Sequence, residues 1–310
     1  MSKNKLSTLR VAVPLACVCC LLWASAFPAI KTGYKLLGIE NGQWASQILF
    51  GGIRFTLAGV LVLIFGSLIA KKPLKPASAS SLKYVFILSL AQTSVHYIFF
   101  YIGLANTQGS KSSVLNSVSV FLSVILAAVF FKNDRLTPFK IIGCVMGFSG
   151  IVLMNFGSLG FGFNFLGEGF IILSAISGAI SSVLIKKFTA FEQPVVLSGY
   201  QFLLGGIIMA LAGFLGGGRM SGFNAKSILI IIYLAFLSAA AYTIWGILLK
   251  HNDVSRIAVF GFVTPIGGVI MSALFLGEEI DIPKCAAALL LVSVGIVLVN
   301  LKIAERRNTH

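Results

Sequence analysis

The stretch GIVLMN at residues 150–155 returns as GIVLVN at residues 295–300. Both belong to longer segments. With an offset of 145, residues 97–155 lie on residues 242–300 without a gap, and 16 of the 59 positions are identical. Apolar composition inflates chance matches, so the rarer coincidences carry the weight. Pro138 falls on Pro283, Gly150 on Gly295, Tyr97 on Tyr242 and Phe100 on Trp245; acidic Asp134 and Glu279 fall together just beyond an apolar run. Upstream, with an offset of 147, RFTLAG at 54–59 lies on QFLLGG at 201–206. The chain reads as two copies of one unit, residues 1–155 and 156–310.

The material of that unit is apolar. Hydrophobic residues make up 57% of the chain, charged residues only 11%, and the mean hydropathy is +0.97. A soluble chain of 310 residues could not hide that much apolar surface, which leaves an integral membrane protein with the lipid bilayer as its surroundings. A membrane-crossing helix needs about 20 mostly apolar residues. Ten runs fit: 11–31, 43–69, 82–104, 108–131, 137–155, 166–186, 194–216, 226–249, 256–276 and 282–301. Each copy holds five. Five is odd, so the second copy enters the membrane upside down relative to the first. The expected fold is an all-α polytopic membrane protein, ten transmembrane helices in two inverted five-helix repeats. Secondary transporters use that plan, with the substrate path near the midplane between the halves.

Lys and Arg orient the chain, because cytoplasmic loops accumulate them. Seventeen collect on one side, from Lys3, Lys5 and Arg10 to Lys302, Arg306 and Arg307, against six on the other. The expectation is that both termini lie in the cytoplasm. The formal net charge of +15 follows from this sorting, so no nucleic-acid partner is implied. No GxxxxGK[ST] loop is present, which removes an ATP-driven pump of that type. The cysteines 17, 19, 20, 144 and 285 all sit in apolar runs without paired ligand spacing. No metal, cofactor or catalytic group is expected. A membrane-embedded lipid-modifying enzyme would need clustered acids, His or Lys near an interface, and the acids here are dispersed or in short loop groups such as GEEID at 277–281.

WASAFPAIK at 23–31, RF at 54–55, and an acidic residue after the fourth and ninth runs resemble the EamA-type branch of the drug/metabolite transporter superfamily. The five-plus-five duplication resembles it too, over nearly the whole chain. The resemblance implies a carrier of the bacterial-type inner (plasma) membrane, often an exporter of amino acids, related metabolites or drugs. It implies a central cavity among helices 1, 3, 4, 6, 8 and 9. Two positions depart from it. Many relatives carry proline in both the fourth and ninth helices, whereas this chain has Pro265 but Val120 at the matching place, and the usual Gly-Glu after the fourth helix is Asn133-Asp134.

Within the apolar runs a few side chains stand out. Arg54 is the only charge assigned to the membrane interior, and no acid is assigned to mid-membrane. A charge there is costly and marks a functional position by default. Arg54 must face water, cap backbone carbonyls, or meet an anionic group on a substrate; its planar fork suits a carboxylate or phosphate. Its repeat partner is neutral Gln201, so the charge belongs to one half only. Trp23, Tyr97, Tyr242 and Trp245 combine apolar rings with polar handles suited to a substrate path, and mid-span Asn116 is a further candidate for it. His96 is the candidate for proton coupling; the alternative is a hydrogen-bonded packing role. Pro28 and Pro265 interrupt helices 1 and 9 and are candidate gating kinks. GCVMG at 143–147 presents a small-residue face for close helix contact, within the chain or in a homodimer. These residues describe a secondary active or facilitative transporter of small amphipathic metabolites, exporting by analogy.

Overall fold

The structure, a computed structural model, describes residues 5–40, 42–107, 109–154, 156, 163–277 and 281–301. Glu278, Glu279, Glu305 and the terminal basic residues Lys3, Lys302, Arg306 and Arg307 lie outside the described residues, as does Asn155. Among the described residues all regular structure is helical. In chain order the apolar helices are α1 (Leu9–Leu36), α2 (Trp44–Ala70), α3 (Ala79–Leu104), α4 (Val114–Phe130), α5 (Pro138–Met154), α6 (Phe165–Phe188), α7 (Pro194–Leu215), α8 (Ala225–His251), α9 (Val254–Phe275) and α10 (Ile282–Asn300).

Eight of these are long and apolar enough to cross a membrane; α4 and α5 are shorter. The described part of α5 ends at Met154, next to a residue outside the described set. Of the ten spans expected, eight are of spanning length among the described residues. The chain is a multi-pass membrane protein. Its outer faces carry large apolar side chains such as Ile69 (84% exposed) and Leu215 (81%), which lipid, and not water, can cover.

Small residues draw the helices into pairs. In the α2–α7 pair, an added Cβ at Gly52 would sit 2.2 Å from the Ala210 nitrogen, and one at Gly206 would sit 2.3 Å from the Thr56 nitrogen. Backbones this close exclude any side chain. Lipid tails are as apolar as leucine, so close packing of this kind, and not the hydrophobic effect, holds membrane helices together. Helices α5 and α10 pair likewise: a Cβ at Gly143 would meet the Gly295 oxygen at 2.6 Å. The GCVMG face thus closes a contact within the chain. Helix α1 packs on α8 and α9, and α6 packs on α3 and α4.

Four helices are irregular among the described residues; α6 opens with a π-helical turn, Phe165–Gly169. Residues Ser89–Ser94 of α3 form a π-helical turn. The widened turn brings polar side chains onto α7: Thr93 Oγ1 donates to Gln201 Oε1 at 2.6 Å, and Ser94 Oγ to the Gly205 carbonyl at 3.2 Å. Such turns cluster at functional sites. The fourth helix breaks at Ser117, between segments Gly109–Asn116 and Val118–Phe130. The ninth carries a 3-10 turn, Val259–Phe262, just before Pro265. With the offset of 145, Ser117 falls on Phe262. Both helices are interrupted at matching places although only α9 has the proline, so proline is not what breaks α4.

Candidate functional site

Arg54 sits on α2 and is 2% exposed. Its Cζ lies 4.5 Å from the Phe55 ring centroid and 6.0 Å from that of Tyr97, so π faces supply part of the stabilisation that water would otherwise give. The Nε and Nη1 atoms are buried and make no hydrogen bond. Of the three roles open to it, capping of backbone carbonyls is not what these two nitrogens do. One turn earlier, Gly51 leaves room: a Cβ there would lie 2.6 Å from Tyr101 Cε2 and 3.1 Å from its hydroxyl. Missing side chains thus bring a tyrosine beside the charge.

Four tyrosine hydroxyls, Tyr34, Tyr97, Tyr101 and Tyr242, lie within electrostatic reach of Arg54. Tyr97 and Tyr242 hydrogen-bond to each other. The hydroxyls of Tyr34 and Tyr101 are both buried and face each other. Rings close the remaining sides. Phe55 packs against Tyr97 at 4.5 Å and Phe202 at 5.4 Å; Trp23 packs against Tyr242 at 5.0 Å and Trp245 at 4.9 Å. The Trp23 Nε1 is buried and unbonded. The buried donors without partners here are the Arg54 Nε and Nη1 and the Trp23 indole N–H.

The structure therefore brings together Trp23, Arg54, Tyr97, Tyr242 and Trp245. His96 is next to them, its ring 4.7 Å from that of Tyr97. It is tied to α6: Nδ1 meets the Ser174 carbonyl at 2.9 Å, and Ser174 Oγ donates to the His96 carbonyl at 2.9 Å. Those bonds are the packing alternative weighed for this residue. Asn116 ends the first segment of the fourth helix with its Oδ1 buried and unbonded, and no described contact joins it to Arg54. Pro28 and Pro265 flank the α1–α9 contact, where Gly267 lies against Ala24 and Gly268 against Phe27.

Tyr34 and Tyr101 were not singled out from sequence. Tyr101 was legible, being four residues after Tyr97 and so on the same helical face. Tyr34 was not. It lies between Lys31 and Lys35 and reads as an interfacial anchor; its packing on Phe50, at 5.3 Å between centroids, is a tertiary event.

The model of the EamA-like transporter family matches residues 10–156 and again residues 165–301. This chain belongs to the EamA-like transporter family. Its similarity to individual members is low but extends along the chain. An uncharacterized transporter of Archaeoglobus fulgidus is 26% identical over 290 residues, spanning 92% of this chain and 95% of its own length. The uncharacterized transporter YvbV of Bacillus subtilis is 25% identical, covering 96% and 94%. A probable amino-acid metabolite efflux pump of Salmonella typhimurium is 25% identical, covering 90% and 91%. A crystal structure superposes with a TM-score of 0.78 over 97% of this chain and 99% of the other, at 19% identity, which shows a shared fold. The family and its members are named as transporters, so the EamA-like chain is a transporter.

Proposed function

We propose that this transporter is a secondary carrier that exports a small amphipathic metabolite by alternating access between two inverted five-helix repeats, 1–155 and 156–310. Reciprocal contact carries the reading. In a two-fold relation, if residue i meets j, then the image of j meets the image of i. Tyr97 and Tyr242, images at offset 145, bond hydroxyl to hydroxyl. At offset 147, Gly59 against Leu203 has its image in Gly206 against Thr56, and Gly52 against Ala210 in Gly199 against Leu63. Gly143 on Gly295 and Gly150 on Ala288 repeat the relation at offset 145. Two similar halves of opposite insertion can exchange conformations, which turns an inward-open carrier into an outward-open one.

The Arg54 cluster lies where the halves meet, since Trp23, Arg54 and Tyr97 come from one and Tyr242 and Trp245 from the other. That position favours a substrate role for the group, with His96 beside it as the coupling candidate and Pro28 and Pro265 as kinks for the moving α1–α9 contact. The efflux-pump name of the Salmonella typhimurium relative supports export of amino-acid-related compounds. Bacterial relatives and the Lys/Arg sorting favour an inner-membrane protein with cytoplasmic termini. A facilitator without ion coupling is the second reading. It is favoured because Asp134, Glu168 and Glu192, the buried acids among the described residues, bond to groups at helix ends and loops, not to the cluster.

Proteoliposomes loaded with a panel of amino acids, monocarboxylic acids and drugs, with and without a pH gradient, test both readings. Accumulation driven by the gradient supports the coupled carrier. Equilibration indifferent to it supports the facilitator. Folded protein that moves no compound would sink the carrier reading.

A further inference from the structure

We propose that the Arg54 cluster recognises one carboxylate on an apolar or aromatic body, so that the substrate is a monoanionic acid and not a zwitterion or a cation. The proposal deepens the carrier reading and rests on it. The argument is a census of what the site has to offer. Arg54 contributes Nε–H and Nη1–H donors and Trp23 contributes Nε1–H, all buried and unbonded, while the hydroxyls of Tyr34 and Tyr101 face each other beside the charge. Guanidinium and indole nitrogens can only donate, and a buried donor left unsatisfied is costly, more so when charged. The complement of several convergent donors is a group that only accepts. An ionised carboxylate is that group, and the guanidinium fork matches its two oxygens.

The charge balance sharpens the point. The described cluster holds one cation, and its polar members are otherwise neutral hydroxyls and an indole. One negative charge neutralises it. An α-ammonium on the same ligand would bring a second cation close to Arg54 with no carboxylate to receive it, and like charges within a few ångströms in a low-dielectric site repel strongly. The hydroxyls of Tyr97 and Tyr242 bond to each other; their remaining lone pairs are neutral dipoles and carry no charge to offset the repulsion between an ammonium and Arg54. The rings of Phe55, Phe202, Trp23 and Trp245 supply the apolar wall for the body of the acid.

Three probes with one ring separate the alternatives: phenylacetate, phenylalanine and phenethylamine carry a lone carboxylate, both groups, and a lone ammonium. Binding to purified protein in nanodiscs, measured by calorimetry, is expected to rank phenylacetate at least tenfold tighter than phenylalanine, with phenethylamine not binding. Arg54→Gln is expected to weaken phenylacetate roughly 10- to 100-fold. The pair Tyr34→Phe and Tyr101→Phe, which keeps the charge, is expected to weaken it less. Thermal unfolding of each variant verifies that it folds. Phenylalanine or phenethylamine binding as tightly as phenylacetate overturns the proposal, and so does unchanged phenylacetate affinity in folded Arg54→Gln. Chloride at matched ionic strength displacing phenylacetate completely at equal concentration also overturns it, since Arg54 then holds any small anion. Transport of cations or zwitterions that ignores Arg54 removes this proposal and leaves the carrier; folded protein that binds phenylacetate but moves nothing removes the carrier instead.

Discussion

Two buried cations in this molecule are kept by opposite arrangements. Lys140, at the start of α5, bonds to the Asp134 carboxylate and donates to the Arg135 carbonyl at 2.8 Å. Asp134 in turn accepts from the Ser255 hydroxyl, and at 3.0 Å from the Ser255 N–H in the first turn of α9. The partners of Lys140 and of Asp134 named here are supplied by the protein, and the contact ties the end of α4 to the beginning of α9. Arg54, between the halves, lies against the rings of Phe55 and Tyr97, and its Nε and Nη1 find no acceptor. The difference teaches where to look for function in an apolar protein. A buried charge that the fold neutralises belongs to the architecture. A buried charge that the fold leaves without an acid is the place where the proposed substrate would bind.

That contrast breaks or survives on stability. Asp134→Ala would strand a buried ammonium and a backbone N–H, and is expected to cost about 3–5 kcal/mol, the usual loss when one partner of a buried pair is removed. Arg54→Gln inserts the residue that the other repeat already carries at the matching position. It removes a charge that no acid balances, so the thermal midpoint in detergent is expected to hold or rise while transport falls. Comparable destabilisation by both changes would erase the distinction between the two cations.

The glycine pairs come next in size. Gly206→Ala forces a methyl against the Thr56 backbone and is expected to cost about 1–3 kcal/mol through overpacking. Gly246→Ala, whose nearest neighbour would be 3.6 Å away, is expected to gain up to ~1 kcal/mol from helix propensity. Equal midpoints for the two variants would show that backbone proximity between α2 and α7 does not hold the halves together.

Tyr242→Phe leaves the Tyr97 hydroxyl unpaired between the repeats, at an expected cost of about 0.5–1.5 kcal/mol. The double change with Tyr97→Phe is expected to cost less than the sum of the singles, because it leaves no orphan. Strict additivity in that cycle would mean that the two hydroxyls do not interact.

The smallest effect sits in a loop outside the membrane. Burial pushes the Glu192 carboxyl up, but the Ala77 and Gln193 N–H groups, the Ser81 hydroxyl and Lys250 together hold it below the usual carboxylate range. A carboxyl with a depressed value in the folded state contributes stability above its ordinary range and loses it as pH falls. Wild type is therefore expected to lose more stability than Glu192→Gln on acidification through that range, as read from midpoints at stepped pH. Parallel curves would exclude a role for this carboxylate.

Much of this was legible in the chain. Hydropathy located the helices because lipid tolerates no unsatisfied backbone, and period and spacing revealed the duplication in GIVLMN and GIVLVN. Arg54 stood out because a lone charge at bilayer depth needs a reason. Small residues at 143–147 announced a close contact without naming the partner, since two surfaces that suit each other carry no address in one strand of sequence. The interruption of the fourth helix at Ser117 had no proline to betray it.

The sequence by itself determined the solvent, the helices and the repeat, because each follows from local composition and from matches along one chain. Only the tertiary structure decided which of the buried polar groups would find partners. Tyr34 packs on Phe50, Lys140 meets Asp134, and two nitrogens of Arg54 meet no acceptor, because partnership depends on distances between helices that no single helix encodes.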